Sequence, residues 1–143
     1  LALREHAITK HDNLYDGCVS SFFSSSSELG SRIAGLKARA ILIDMEEGVI
    51  AEIMRSPLKD IFNFKQLITD VSGSGNNWAV ANCFYGQRFA SRLRSSIRKA
   101  AELCDSLQCF FIIHSLGGGT GSGIGTFVLE QLRDDYDDVY RLC

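Results

Sequence analysis

Apolar residues run from Cys109 through Phe110, Phe111, Ile112 and Ile113, and the run stops against Gly117-Gly118-Gly119-Thr120-Gly121-Ser122-Gly123. A run of that length, bounded by glycines, predicts a buried strand. Beyond the glycines, Ile124, Phe127, Val128 and Leu132 recur at helical spacing, with Thr120 or Ser122 expected to cap the first turn. Ala38–Asp44 is a second near-continuous apolar run, again a buried strand, and it ends in an acid. A short helix is expected over Gly48–Met54, with Val49, Ile50 and Ile53 inward and Ser56-Pro57 stopping it. Gln66–Val71 predicts a third strand and Gly73-Ser74-Gly75-Asn76-Asn77 a tight loop after it. Phe62 and Phe64 are expected to reach the core from a loop. The clearest helix spans Phe84–Cys104: Phe89, Leu93, Ile97, Ala100, Ala101 and Cys104 form its apolar stripe, and Arg88, Arg92, Arg94, Arg98 and Lys99 fall largely on its other faces.

The remaining stretches are less patterned. Leu1–Lys10 reads as the end of a helix. Residues 11–35 read as a variable, mobile loop containing Ser24-Ser25-Ser26-Ser27, with Phe22-Phe23 tucked onto the core. The basic helix face reads first as a solvated surface, and as a lateral contact if the chain is a polymer subunit. Alternation of strand and helix predicts an α/β fold with a parallel sheet.

Composition narrows the function classes. With 143 residues and 45% hydrophobic content the chain can bury a core. A net charge of −2 argues against broad nucleic-acid affinity, and no apolar run approaches the length of a membrane span. Five cysteines without a C-x-x-C pair point to neither a disulfide framework nor a zinc site; Cys104 and Cys109 are expected as small buried thiols.

The chemistry concentrates at the predicted strand ends. Five glycines in seven residues let the backbone approach a ligand closely, and a helix N-terminus behind them offers N–H groups to an anion. The loop is not a P-loop, since Ile124 rather than Lys follows Gly123, and it lacks the sixth-position Gly or Ala of the dinucleotide fingerprint. Without a lysine, backbone and hydroxyls must hold the anion, with a metal sharing the charge. Asp44 and Glu46, just past their strand, suit indirect phosphate binding through Mg²⁺; as a bland alternative, Asp44 caps a helix. His114 is expected to support the glycine loop, and Trp78 to anchor its own loop in the core. No catalytic residue is assigned. The residues thus fit a nucleoside triphosphate with Mg²⁺. A dinucleotide oxidoreductase would need its acid after the glycine loop, whereas Asp44 precedes it, and a scaffold with a vacant site stays open.

Three segments together resemble the tubulin family: the glycine signature with His114-Ser115 before it, Ala40-Ile41-Leu42-Ile43-Asp44-Met45-Glu46, and Gly73-Ser74-Gly75-Asn76-Asn77-Trp78-Ala79. The resemblance implies an incomplete Rossmann-like nucleotide-binding domain of the tubulin/FtsZ type over residues 1–143, lacking its first strand and its C-terminal portion. It implies GTP as ligand, with Ser74, Gly75 and Asn76 at the terminal phosphates and Ser115, Gly117, Gly118, Gly119, Thr120, Gly121, Ser122 and Gly123 completing the cradle. Asp44 and Glu46 would serve Mg²⁺. Other tubulin subunits would be the longitudinal and lateral partners, with hydrolysis depending on acidic residues from the next subunit. Glu47 stands where tubulins commonly have Pro. Leu36–Val49 and Leu107–Ser115 are most similar to the epsilon branch of the family, which implies a cytoskeletal protein of the centriole or basal body rather than an alpha- or beta-type lattice subunit.

Overall fold

Three short two-stranded ladders carry the strands of the computed structural model, which describes residues 18–25 and 35–143. β1 (Phe23–Ser24) runs antiparallel to β2 (Lys37–Ala38). β3 (Leu42–Asp44) pairs in parallel with β4 (Leu67–Thr69), and β5 (Cys109–Phe111) in parallel with β6 (Tyr140–Leu142). The helices are α1 (Glu47–Arg55), α2 (Gln87–Glu102) and α3 (Gly125–Asp135). The parallel strands are joined through helices, as an α/β chain requires. This strand–helix–strand connection is that of a Rossmann-like fold. The expected single sheet is not continuous: among the described residues, β3–β4 and β5–β6 remain separate ladders.

The chain divides into two units, 1–40 with 52–66, and 41–51 with 67–143. In the first, the antiparallel ladder buries Phe23, and the Arg39 amide extends it by donating to Phe22 O at 2.8 Å. This is why the predicted strand 38–44 is cut: its first residues belong to the β1–β2 ladder and only Leu42–Asp44 to the next one. Gln66 Nε2 donates to Ala38 O at 2.5 Å and Lys37 Nζ to Asp60 O at 2.6 Å. Ser56 Oγ donates to Ile53 O at 2.7 Å and accepts from Leu58 N at 3.1 Å, so the hydroxyl closes α1 as Pro57 turns the chain away. Phe64 does not reach a core; it is 76% exposed, because the turn held by Asn63 N to Gln66 Oε1 and Lys65 N to Asn63 Oδ1 points it outward. Most of the stretch 11–35, and Leu1–Lys10, lie outside the described residues. The part that is described holds a helical turn at Cys18–Ser21 and β1 rather than continuous loop.

The second unit holds the main core. Met45, Ile68, Leu93 and Ile124 are fully buried, with Ile97, Phe127, Val128 and Leu132 packed beside them. Leu93 and Ile97 come from the stripe predicted on α2, and Ile124, Phe127, Val128 and Leu132 from the one predicted at α3, while Met45 and Ile68 come from β3's exit and β4. Val49 is 53% exposed, because α1 buries only Ile50. The helical path before α2 starts earlier than predicted: a wide π-helical segment, Val80–Gly86, feeds into it. That segment turns Ala81 and Tyr85 inward and leaves Phe84 and Trp78 out, so Trp78, at 47% exposure, is not the core anchor expected of it. Cys104 and Cys109 are half-buried rather than enclosed.

Three arginines of α2 have partners within the unit. Arg94 Nε meets Asp135 Oδ2 at 2.6 Å, Arg98 lies 3.6 Å from Glu102, and Arg92 Nη2 donates to Leu67 O at 2.9 Å. The first of these gives the acidic end of α3, unfavourable to its own dipole, a partner on the neighbouring helix. Tyr136 follows α3 and meets Phe110 edge-on at 5.1 Å. Burial, then the carboxylates of Asp135 and Glu102, raise its phenol above the ordinary 10.0, with Arg98 opposing. Its neutral form is favoured in the folded state, so the contribution is complete below about pH 10 and is lost as pH rises through the raised value. Tyr136→Phe should accordingly flatten the alkaline limb of a Tm-versus-pH curve while leaving it unchanged at neutral pH. An equally steep alkaline limb in the variant would assign the loss to other groups.

Candidate functional site

Two loops of the second unit face each other across a cavity of about 440 Å³, lined by Glu46, residues 71–76, Gly119 and Thr120. The first loop leaves β4 and turns through left-handed backbone at Gly73, Gly75 and Asn76, with φ of 63°, 57° and 57°. Glycine takes this conformation freely and asparagine more readily than most residues. Gly73 N donates to Met45 O at 2.7 Å and ties the loop to the acidic turn after β3. Asn77 starts the helical path: its N–H donates to Ser74 O, its carbonyl accepts from Ala81 N, and its Oδ1 accepts from Val80 N, all at 3.1 Å.

The glycine loop is shaped by close approaches. A Cβ on Gly119 would land on Ser74 Oγ and lie 2.9 Å from Asn77 N. One on Gly121 would sit 2.5 Å from Ser115 Oγ, and one on Gly125 2.7 Å from His114 Nδ1. His114 thus packs under the start of α3, its Nδ1 3.2 Å from Ser115 O. Ser115 Oγ donates to Gly117 O at 2.6 Å. Neither Thr120 nor Ser122 caps α3. Ser122 Oγ instead donates back to Gly118 O, with Gly119 O 3.4 Å away, while Thr120–Ile124 forms a second wide π-helical turn ahead of the helix. Ser74 Oγ and Thr120 Oγ1 lie 3.2 Å apart and join the two loops across the cavity wall.

Of the residues singled out from the sequence, Glu46, Ser74, Gly75, Asn76, Gly119 and Thr120 line the cavity. Gly118 is not in the lining; a Cβ on it would lie 3.5 Å from Asn76 Oδ1. Asp44 is not in the lining: its Oδ1 accepts from Glu46 N at 3.2 Å, shaping the acidic turn. Glu47 opens α1, where its charge suits the helix dipole. Among the described residues no three His, Cys, Asp or Glu side chains cluster as a metal cage, and no helix is long and apolar enough to cross a membrane.

A family model described as the tubulin/FtsZ family, GTPase domain, matches residues 1–143. The chain belongs to the tubulin/FtsZ family. It is 55% identical to the tubulin epsilon chain of Mus musculus and 54% identical to that of Homo sapiens, each across 99% of this chain and 32% of the relative. It is 38% identical to the tubulin beta chain of Coprinopsis cinerea, across 94% of this chain and 30% of the relative. The chain therefore spans about a third of the length of these relatives.

Within this tubulin/FtsZ domain two residues escape sequence reading. Asp70, at the exit of β4, is buried, with its side chain 7% exposed. Its Oδ1 accepts from Val71 N at 2.7 Å, and its Oδ2 lies 3.0 Å from Arg88 Nη1, close enough to pair but not aligned as a hydrogen bond. Removing the guanidinium leaves a buried carboxylate oxygen uncompensated, so Arg88→Ala should cost about 1–3 kcal/mol. Arg88→Lys, which keeps the charge, should restore part of it in thermal unfolding; equal losses in both would assign the effect to Arg88 packing on Phe89, 5.6 Å from the ring centre. The other is Asn82, whose polar side chain in a helical stretch gives no local signal of its role.

Proposed function

We propose that this chain is the nucleotide-binding part of an epsilon-type tubulin that binds GTP with Mg²⁺ and serves as a structural constituent of centrioles or basal bodies. The observation that carries the nucleotide reading is the cavity's lining: hydroxyls of Ser74 and Thr120, glycine backbone on both sides, one carboxylate, and no lysine or arginine. A bare triphosphate beside Glu46 would be repelled. A divalent cation held by Glu46 would offset that repulsion, and hydroxyls with backbone amides suit phosphate oxygens. The residues fit such a group. Ser74, Gly75 and Asn76 would hold the terminal phosphates from one side and Gly119 and Thr120 from the other. Ser115, Gly117, Gly118, Gly121, Ser122 and Gly123 would shape the rest of the cradle, and Glu46 would serve Mg²⁺, with Asp44 setting its turn.

Bound Mg²⁺ would neutralise phosphate charge. The chain's own part is to bind and orient the nucleotide; hydrolysis would depend on acidic residues of a neighbouring tubulin subunit stacked longitudinally. The higher identity to epsilon chains than to the beta chain supports the epsilon assignment, and with it a place at the centriole or basal body.

The test is titration of the full-length protein with labelled GTP and NAD, with and without Mg²⁺. Mg²⁺-dependent GTP binding without NAD binding is expected. NAD binding, or no binding of either, overturns the nucleotide reading. Imaging of a tagged full-length protein checks the setting: signal along ordinary microtubules instead of at centrioles would count against the epsilon assignment.

A further inference from the structure

We propose that Asn82 is a positioning residue that sets the spacing between the two loops of the cavity. The inference rests on the nucleotide reading above. Asn82 lies in the first wide helical turn, and its Nδ2 donates to Gly123 O of the second at 3.0 Å and to Thr126 Oγ1 of α3 at 3.1 Å. Thr126 Oγ1 in turn lies 2.9 Å from Ser122 O and 2.9 Å from Gly123 O. A hydroxyl has one proton, so Thr126 donates to one of these carbonyls and accepts from Asn82 with its lone pairs.

These bonds close a ring. From Ser74, one branch runs through Ser74 O to Asn77 N and from Asn77 O to Ala81 N, the residue before Asn82. Across the amide lies Gly123, whose N–H donates to Gly119 O at 2.7 Å. Gly119 abuts Ser74, and the next residue, Thr120, returns to Ser74 through the hydroxyl pair at 3.2 Å. Both cavity walls are members of this ring, and Asn82 supplies the side-chain tie on the side away from the cavity. The two turns meet too closely for adjustment by packing alone: a Cβ on Gly123 would overlap Ala81 Cβ and lie 2.6 Å from Trp78 O. A π-helical turn interrupts the i→i+4 ladder of the helix it joins, and the Asn82 amide ties a carbonyl of this one to the neighbouring turn. Loss of that donor frees the Gly123 end to move, and the movement reaches Gly119 and Thr120, where the terminal phosphates are read. The ring contains the residues assigned above to the terminal phosphates, and none has been assigned to the nucleoside.

The test uses the full-length protein with Asn82→Ala and the near-isosteric Asn82→Asp, which removes the donor, alone and combined with Thr126→Val. GTP and GMP affinities are measured at a temperature where each variant is folded, with hydrogen exchange followed over 74–77 and 117–126. GTP affinity is expected to fall about tenfold and GMP affinity less than twofold. The double variant should lose no more than Asn82→Ala alone, since both act through one strut, and exchange should rise in both loops together. Unchanged GTP affinity, equal loss for GTP and GMP, or faster exchange confined to one loop overturns the proposal. If the unsubstituted protein binds no GTP, the nucleotide reading fails instead, and the coupled exchange of the two loops still decides whether Asn82 holds them.

Discussion

Gly123→Ala is expected to lower the stability of the domain by about 3 kcal/mol, the upper part of the usual range for overpacking a filled interior. The physical reason is where the methyl would go. It would overlap Ala81 Cβ, and two of its other neighbours, Trp78 O at 2.6 Å and Asn82 N at 2.9 Å, are backbone atoms that cannot rotate aside. Relief requires the two wide turns to separate, which stretches the Asn82 amide from Gly123 O and moves Gly119. GTP affinity should therefore fall with stability, by at least tenfold. Thermal unfolding and GTP titration of the full-length protein check both. An alanine variant with unchanged Tm and unchanged affinity would mean the turns slide apart freely, and the tight packing drawn between them would be wrong. Gly48, with open space around its Cα, is the control: Gly48→Ala should leave GTP binding as it was.

What could be read beforehand follows from how local each signal is. The stripe Ile124, Phe127, Val128, Leu132 is legible because helical periodicity needs only neighbours in sequence, and all four are buried. The glycine loop is legible because so many glycines together signal close backbone approach, and Gly119, Gly121 and Gly123 each leave no room for a Cβ. Trp78 departs from its expected core position because a wide turn between it and α2 shifts the phase of the helix, which no apolar pattern announces. Ser122 departs from its expected capping role for a different reason. A serine ahead of a helix can accept from N–H groups or donate to carbonyls, and the sharp backbone of Gly118 and Gly119 brings carbonyls within its reach. Asp44 carries two readings, a metal ligand beside Glu46 or a cap, and the bond its Oδ1 accepts from Glu46 N is compatible with both. Asn82 and the Asp70–Arg88 pair are invisible in sequence because their meaning lies in partners 41 and 18 residues away, fixed only when the elements pack.

Gly119→Ala should give the second large effect, and one that a partner substitution can partly undo. The new methyl would fall on Ser74 Oγ and lie 2.8 Å from Ser74 Cβ, so most of the clash is with one side chain. Displacing Ser74 breaks its bond to Thr120 Oγ1 and opens the cavity wall on both sides. GTP affinity is expected to drop at least tenfold, with a stability cost of about 2 kcal/mol. Ser74→Gly removes both clashing atoms. The double variant Gly119→Ala with Ser74→Gly should therefore recover most of the lost stability, leaving only the approach to Asn77 N at 2.9 Å. Affinity should recover less, because the Ser74 hydroxyl itself lines the cavity. A double-mutant cycle on Tm and on GTP affinity separates the two contributions. Simple additivity in stability would show that the alanine is accommodated by moving the glycine loop rather than Ser74. Full recovery of affinity would remove Ser74 from the phosphate-binding residues and leave the glycine loop to hold the ligand alone.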